Sequence, residues 1–173
     1  FNFSEQNIVI TEIMVNPASV SDSYGEWFEV TNISDQVISI QGWKIKDYSL
    51  DSHIIQMDYE SSLIDPGQYF VLARNGDPSI NGGINADYVY DNFSLSNTQD
   101  QIIFLDSNGA TVDAVDYSSD WSFSSGISME IHDIDSDNSL MGNWFQSTFS
   151  FGNGDYGTPG YPHENNDVEI YNN

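Results

Sequence analysis

The sequence predicts an all-β chain, a sandwich or barrel of short antiparallel strands with little helix. Three observations predict it. Ser, Asn and Asp make up about a third of the 173 residues, and these types favour turns and caps over helix interiors. No window of a dozen residues carries apolar side chains at i, i+3, i+4 and i+7, whereas β-branched and aromatic runs recur between turn clusters. With 39% hydrophobic residues, including ten Phe, ten Tyr and four Trp, the chain can fill one sizeable core, and disorder is excluded despite the charge.

About ten runs read as strands. The first five are Ile8–Val15, Trp27–Asn32, Val37–Ile40, Trp43–Asp47 and His53–Met57, with Gly42 as the turn residue between the third and fourth. Asp65-Pro66-Gly67 turns the chain into Tyr69–Ala73, because Pro fixes φ and Gly tolerates the left-handed region. Residues Arg74–Asp87, with Gly76, Pro78, Gly82 and Gly83, form a surface loop before Tyr88–Tyr90. Gln101–Leu105 and Val112–Tyr117 make a hairpin, with Asn108-Gly109 supplying positive φ angles and a one-residue slip in the second arm marking a bulge. Ser128–Ile131 is the last run, and the chain from Gly152 onward reads as a loop and then a linker or tail. Trp27, Trp43 and Trp144 lie in or beside these runs and belong to the core. Trp121 sits instead in the polar stretch Ser118–Ser125, which makes it the candidate surface aromatic for stacking a sugar or a partner.

Charge excludes two classes of partner. With 27 acidic residues against Lys44, Lys46 and Arg74, the formal charge is −24. Phosphate binding needs Lys and Arg to release counterions, so nucleic acid is a poor partner, and an anionic membrane repels the chain equally. The absence of cysteine excludes disulfides, Cys-ligated zinc, iron–sulfur clusters and thiol catalysis. No apolar run approaches the length of a membrane span, and Phe1–Gln6 lacks a signal-peptide pattern, so the chain reads as a mature or excised piece. Such acidity suits salty or divalent-rich surroundings outside a cell.

The chemistry-bearing residues do not assemble into a catalytic motif. Glu26 and Glu29 are three apart, which puts them on opposite faces of a strand, although Glu12 can approach one of them from a neighbouring strand and pair for a cation. His53, His132 and His163 are isolated, and neither a Gly-x-Ser-x-Gly elbow nor a phosphate-binding glycine loop occurs. Calcium is the one cofactor to weigh. Asp133, Asp135 and Asp137 alternate in a loop that offers oxygen ligands to a hard cation, but Asn138 replaces the turn glycine of an EF-hand and Trp144 its bidentate Glu.

Several segments together resemble the lamin tail domain family in its bacterial secreted and surface branch. They are Ile10–Pro17, Gly25–Asn32, Ile40–Asp47, Pro66–Ala73, Leu95–Asn97 with Asp100–Asp106, Gly109–Asp113, Val115–Tyr117, Gly126–Glu130, Trp144 and Gly157-Thr-Pro-Gly160. The resemblance implies an immunoglobulin-like β-sandwich over residues 8–161, an N-terminal extension at 1–7 and a tail or linker at 162–173. It carries no catalytic residues over. It implies a non-catalytic accessory domain of a larger bacterial protein, extracellular or at the cell surface. There it acts in adhesion, surface association or the positioning of a partner enzyme, with other domains, a surface protein or a glycan as partners. The alternative is a carbohydrate-binding module built on Trp121 and nearby tyrosines, with calcium assistance.

Overall fold

The computed structural model describes residues 7–162, so the expected extension and tail lie outside the described residues except at their inner ends. Among the described residues fourteen strands follow in order. They are β1 (Ile8–Met14), β2 (Trp27–Asn32), β3 (Ile38–Ser39), β4 (Lys44–Lys46), β5 (Ser52–Ile54), β6 (Leu63–Ile64) and β7 (Tyr69–Ala73). The rest are β8 (Tyr88–Val89), β9 (Asp100–Leu105), β10 (Thr111–Tyr117), β11 (Met129–Ile131), β12 (Trp144–Gln146), β13 (Ser150–Phe151) and β14 (Asp155–Tyr156). Among the described residues helix is confined to one four-residue turn, Asp22–Gly25, and three short 3-10 turns.

Two sheets sandwich the core. One has six strands in the order β12-β11-β1-β2-β7-β8, and the other has four in the order β10-β9-β4-β5. Every pair is antiparallel except β7 with β8 and a lone bridge between Ile127 and Tyr156. Between the sheets pack Ile8, Ile10, Ile13, Phe28, Val30, Leu72, Phe104 and Val115 with the rings of Trp43, Tyr90, Phe93, Tyr117 and Trp144.

Each hairpin and bulge has a local cause. In the β9–β10 turn only Gly109 takes a positive φ, +84°, and its N–H donates to Asp106 O at 3.0 Å. Asn108 therefore stays in ordinary φ space, and the expected pair of positive angles reduces to one. The register shifts between Thr111 and Asp113, in the arm where a slip was expected. A second shift falls in β1, between Ile10 and Glu12. It changes the phase of alternation: Ile10 and Ile13 point into the core, while Thr11 and Glu12 both face outward.

Both faces of the central strands are covered, and every residue of β1 and β2 is buried. The outer cover comes from the segment after β12. Phe151 lies edge-on to Trp27, with centroids 5.9 Å apart, over a small second core of Met14, Val71, Ala73 and Ile84. Asp155 fixes this segment by accepting hydrogen bonds from Ala18 N, Ser19 N and Ser19 Oγ at 2.8–3.3 Å. The strap Gly157–Gly160 then crosses the outward face of β1 and β2.

Trp121 requires a correction. It is only 5% exposed and packs among Phe123, Trp144 and Tyr117, with ring centroids 5.3–6.3 Å apart. A 3-10 turn at Ser119–Trp121, opened by Ser118 Oγ accepting from Asp120 N, folds the indole into the core. The polar neighbours face solvent while the ring does not, so Trp121 is not a stacking platform.

Candidate functional site

Register brings three glutamates into one row. Glu12 on β1 stands opposite Glu29 on β2 and opposite Glu130 on β11, so three adjacent strands each present a carboxyl on the same outward face. All three are buried. They line a depression of about 490 Å³ with Tyr69, His132, Asp133, Thr158 and Tyr161 among its walls, and no Lys or Arg is among its lining residues.

Glu12 and Glu29 hold the strap. Thr158 N donates to both Glu12 oxygens, at 2.9 and 3.2 Å, and Thr158 Oγ1 donates to Glu12 Oε2 at 3.1 Å. Ser128 Oγ donates to Glu12 Oε1. Gly160 N donates to Glu29 Oε2 at 2.7 Å, while Thr11 Oγ1 donates to Glu29 Oε1 at 2.8 Å. Gly157 does not have a positive φ. Its requirement is closeness: a Cβ there would meet Glu12 Oε1 at 2.7 Å.

Burial dominates the electrostatics of the row. It pushes Glu12 well above the usual carboxylate range, and the charges of Glu29 and Glu130 add to the effect. Burial raises Glu29 to about 8, against the opposing hydrogen bonds from Gly160 and Thr11. Glu26, which ends up on the core side as the odd spacing required, is raised by burial to about 7 although Leu95 N and the Arg74 guanidinium both donate to its Oε2 at 3.2 Å. Protonated carboxyls of this kind hold protons near neutrality and act as neutral hydrogen-bonding groups.

The calcium candidates do not converge. Asp133 Oδ1 accepts from Asp135 N at 3.0 Å, and Asp137 Oδ1 accepts from Ser139 N at 3.0 Å and Ser139 Oγ at 2.6 Å. These bonds close successive turns of an exposed loop. Among the described residues no group of three or more His, Asp or Glu could hold a metal ion. The loop is anchored by the residue after the acids. Asn138 Nδ2 donates to Asp113 Oδ2 at 2.7 Å and to Ile10 O at 3.2 Å, and Asn138 O accepts from Trp144 Nε1 at 2.8 Å. Asp113 Oδ2 also accepts from Ile10 N at 2.6 Å, joining β10 of one sheet to β1 of the other.

His53 joins the opposite edges. Its Nδ1 lies 2.7 Å from Asp91 Oδ1 and its Nε2 lies 2.7 Å from the Tyr88 hydroxyl, which accepts from Gln56 N at 2.9 Å. This chain links β5 to β8. His132 is exposed and packs against Phe145, with ring centroids 4.9 Å apart. His163 lies outside the described residues.

Glu130 and Asp113 were not readable as site residues. Glu130 sits in a strand-like run between apolar neighbours, so its outward direction is legible. Its position opposite Glu12 depends on register between strands more than a hundred residues apart, which local pattern does not encode.

Two sheets packed face to face, with convergent carboxyls on the six-stranded one clamping the chain itself, define a β-sandwich domain. Residues 2–119 match the family model described as Lamin Tail Domain, and the chain belongs to this family of non-enzymatic, immunoglobulin-like interaction domains. The match ends in the loop after β10, so β11, β12 and the strap lie beyond it. A comparison with curated proteins found no match. No helix among the described residues is long and apolar enough to cross a membrane.

Proposed function

We propose that the chain is a non-catalytic accessory domain of a larger bacterial protein, working outside the cell or at its surface. There it attaches the parent protein to a surface partner or positions a neighbouring enzyme domain. One observation carries the non-catalytic part: Glu12 and Glu29, the carboxyls best placed for acid–base work, accept hydrogen bonds from Thr158 and Gly160 of the same chain. A charge of −24 with three Lys and Arg favours protein or glycan partners over nucleic acid and keeps the domain dispersed in salt. The test is saturable binding of the purified domain to intact bacterial envelopes and to the isolated domains of its parent, beside a hydrolase screen. Saturable binding without turnover supports the reading. Turnover abolished by Glu12→Gln or Glu29→Gln overturns it.

A glycan-binding reading is favoured by a different feature from the one expected. Beyond the strap lies a depression of about 590 Å³ lined by Phe149, Phe151, Pro159 and Tyr161, with Asn85 and Ser150 as polar groups. Tyr161 is 71% exposed there. Rings beside amide and hydroxyl groups suit a sugar. Glycan-array binding lost in Tyr161→Ala supports this reading, and an array without binding rejects it.

A further inference from the structure

The strap separates the two depressions. Thr158 and Tyr161 line both, so residues 157–161 form the wall between the carboxyl row and the aromatic hollow. That wall is held over the row at two points, Thr158 on Glu12 and Gly160 on Glu29. We propose that the strap is a proton-operated gate: loss of protons from Glu12 and Glu29 releases Thr158 and Gly160 and merges the two depressions into one groove.

The argument rests on what faces the fastening points. From β1 comes Glu12, from β2 Glu29, from β11 Glu130 followed by His132 and Asp133, from β7 Tyr69, and from the strap side Tyr161. Asp87, whose carboxylate accepts from Val71 N at 2.8 Å, adds its charge to Glu29. No Lys or Arg lines this space, so proton loss accumulates like charge on neighbouring strands, where directly opposite like charges repel. The strap amides pull the other way, since N–H donors favour the ionised carboxyl. Glu29 nevertheless sits at about 8 and Glu12 is raised as well, so burial outweighs the donors and the closed strap prefers these two carboxyls protonated. Once the strap lifts, water reaches Glu12 and Glu29 and both move down toward the ordinary value of 4.5. By linkage the opening constant then rises about tenfold per pH unit for each carboxyl that ionises, across the interval between these two values.

The experiment is native-state hydrogen exchange of the whole chain by NMR from pH 5.5 to 8.5, with the intrinsic base-catalysed rate divided out. Protection of the Thr158 and Gly160 amides is expected to fall at least tenfold per pH unit up to about pH 8, where Glu29 ionises with the strap closed, while Ile103 in β9 reports global opening separately. In Glu29→Gln the slope at Gly160 flattens, because the amide still has an oxygen to bind but no proton to lose. Protection that is independent of pH in the wild type, an unchanged slope in Glu29→Gln, or parallel loss at Ile103 overturns the gate. If the variant does not fold, the wild-type carboxyl carbon shifts decide. A Glu29 midpoint far above 4.5 that coincides with the strap amide changes supports the gate, and a midpoint near 4.5 overturns it.

Discussion

Trp121 and Asp113 show how a side chain's role depends on partners far along the chain. Trp121 stands among serines, yet its indole fills space between Tyr117, Phe123 and Trp144. Trp121→Ala leaves a large cavity and is expected to cost about 3–5 kcal/mol, read as a lower midpoint in urea. Asp113 lies in β10 between Val112 and Ala114. It is fully buried, and its Oδ2 serves both Ile10 N and Asn138 Nδ2. Asp113→Ala strands these buried donors and is expected to destabilise by roughly 2–5 kcal/mol, in the same assay. Neither role was legible in the sequence, because neighbours in a strand reveal direction but not what the fold brings opposite. Glu12 was partly legible, since its approach to Glu29 needed only adjacent strands.

At the scale of elements, strands whose apolar character is local were readable nearly to the residue. Trp27–Asn32 and Tyr69–Ala73 match their expected bounds, and Ile8–Val15 loses only its last residue. The strands that escaped notice are β6, β12, β13 and β14, each two or three residues long and defined by pairing rather than composition. The 3-10 turn that carries Trp121 was hidden for the same reason. The strap is the element most sensitive to a single methyl group. Gly157→Ala would press a Cβ to 2.7 Å from Glu12 Oε1 and 3.0 Å from Phe151 Cε1. The expected loss is about 1–3 kcal/mol, measured as a lower melting temperature at pH 5.5, with less protection at the Thr158 amide.

Two conditions act on the whole molecule. Glu26 and Glu29 titrate near 7 and 8 in the folded chain against 4.5 when solvated, so between about pH 4.5 and 8 the native state holds more protons than the unfolded one. Stability therefore falls as pH rises through that window, and the melting temperature is expected to be higher at pH 5.5 than at pH 8. The charge of −24 acts in the same direction, and its repulsion is screened by salt, so adding sodium chloride at pH 8 should recover part of the loss. A melting temperature indifferent to both variables would contradict this account. The placement of β1 bears on biosynthesis. Its outer neighbour β11 and its clamp at Thr158 are contributed by residues that follow it by more than a hundred positions, so long-range pairing must close before the centre of the sheet is complete. During translation β1 emerges before the other strands described here and is among the last to be enclosed. A nascent chain stalled after residue 119 would expose a bare, apolar β1 edge, which is the species that chaperones would be expected to hold.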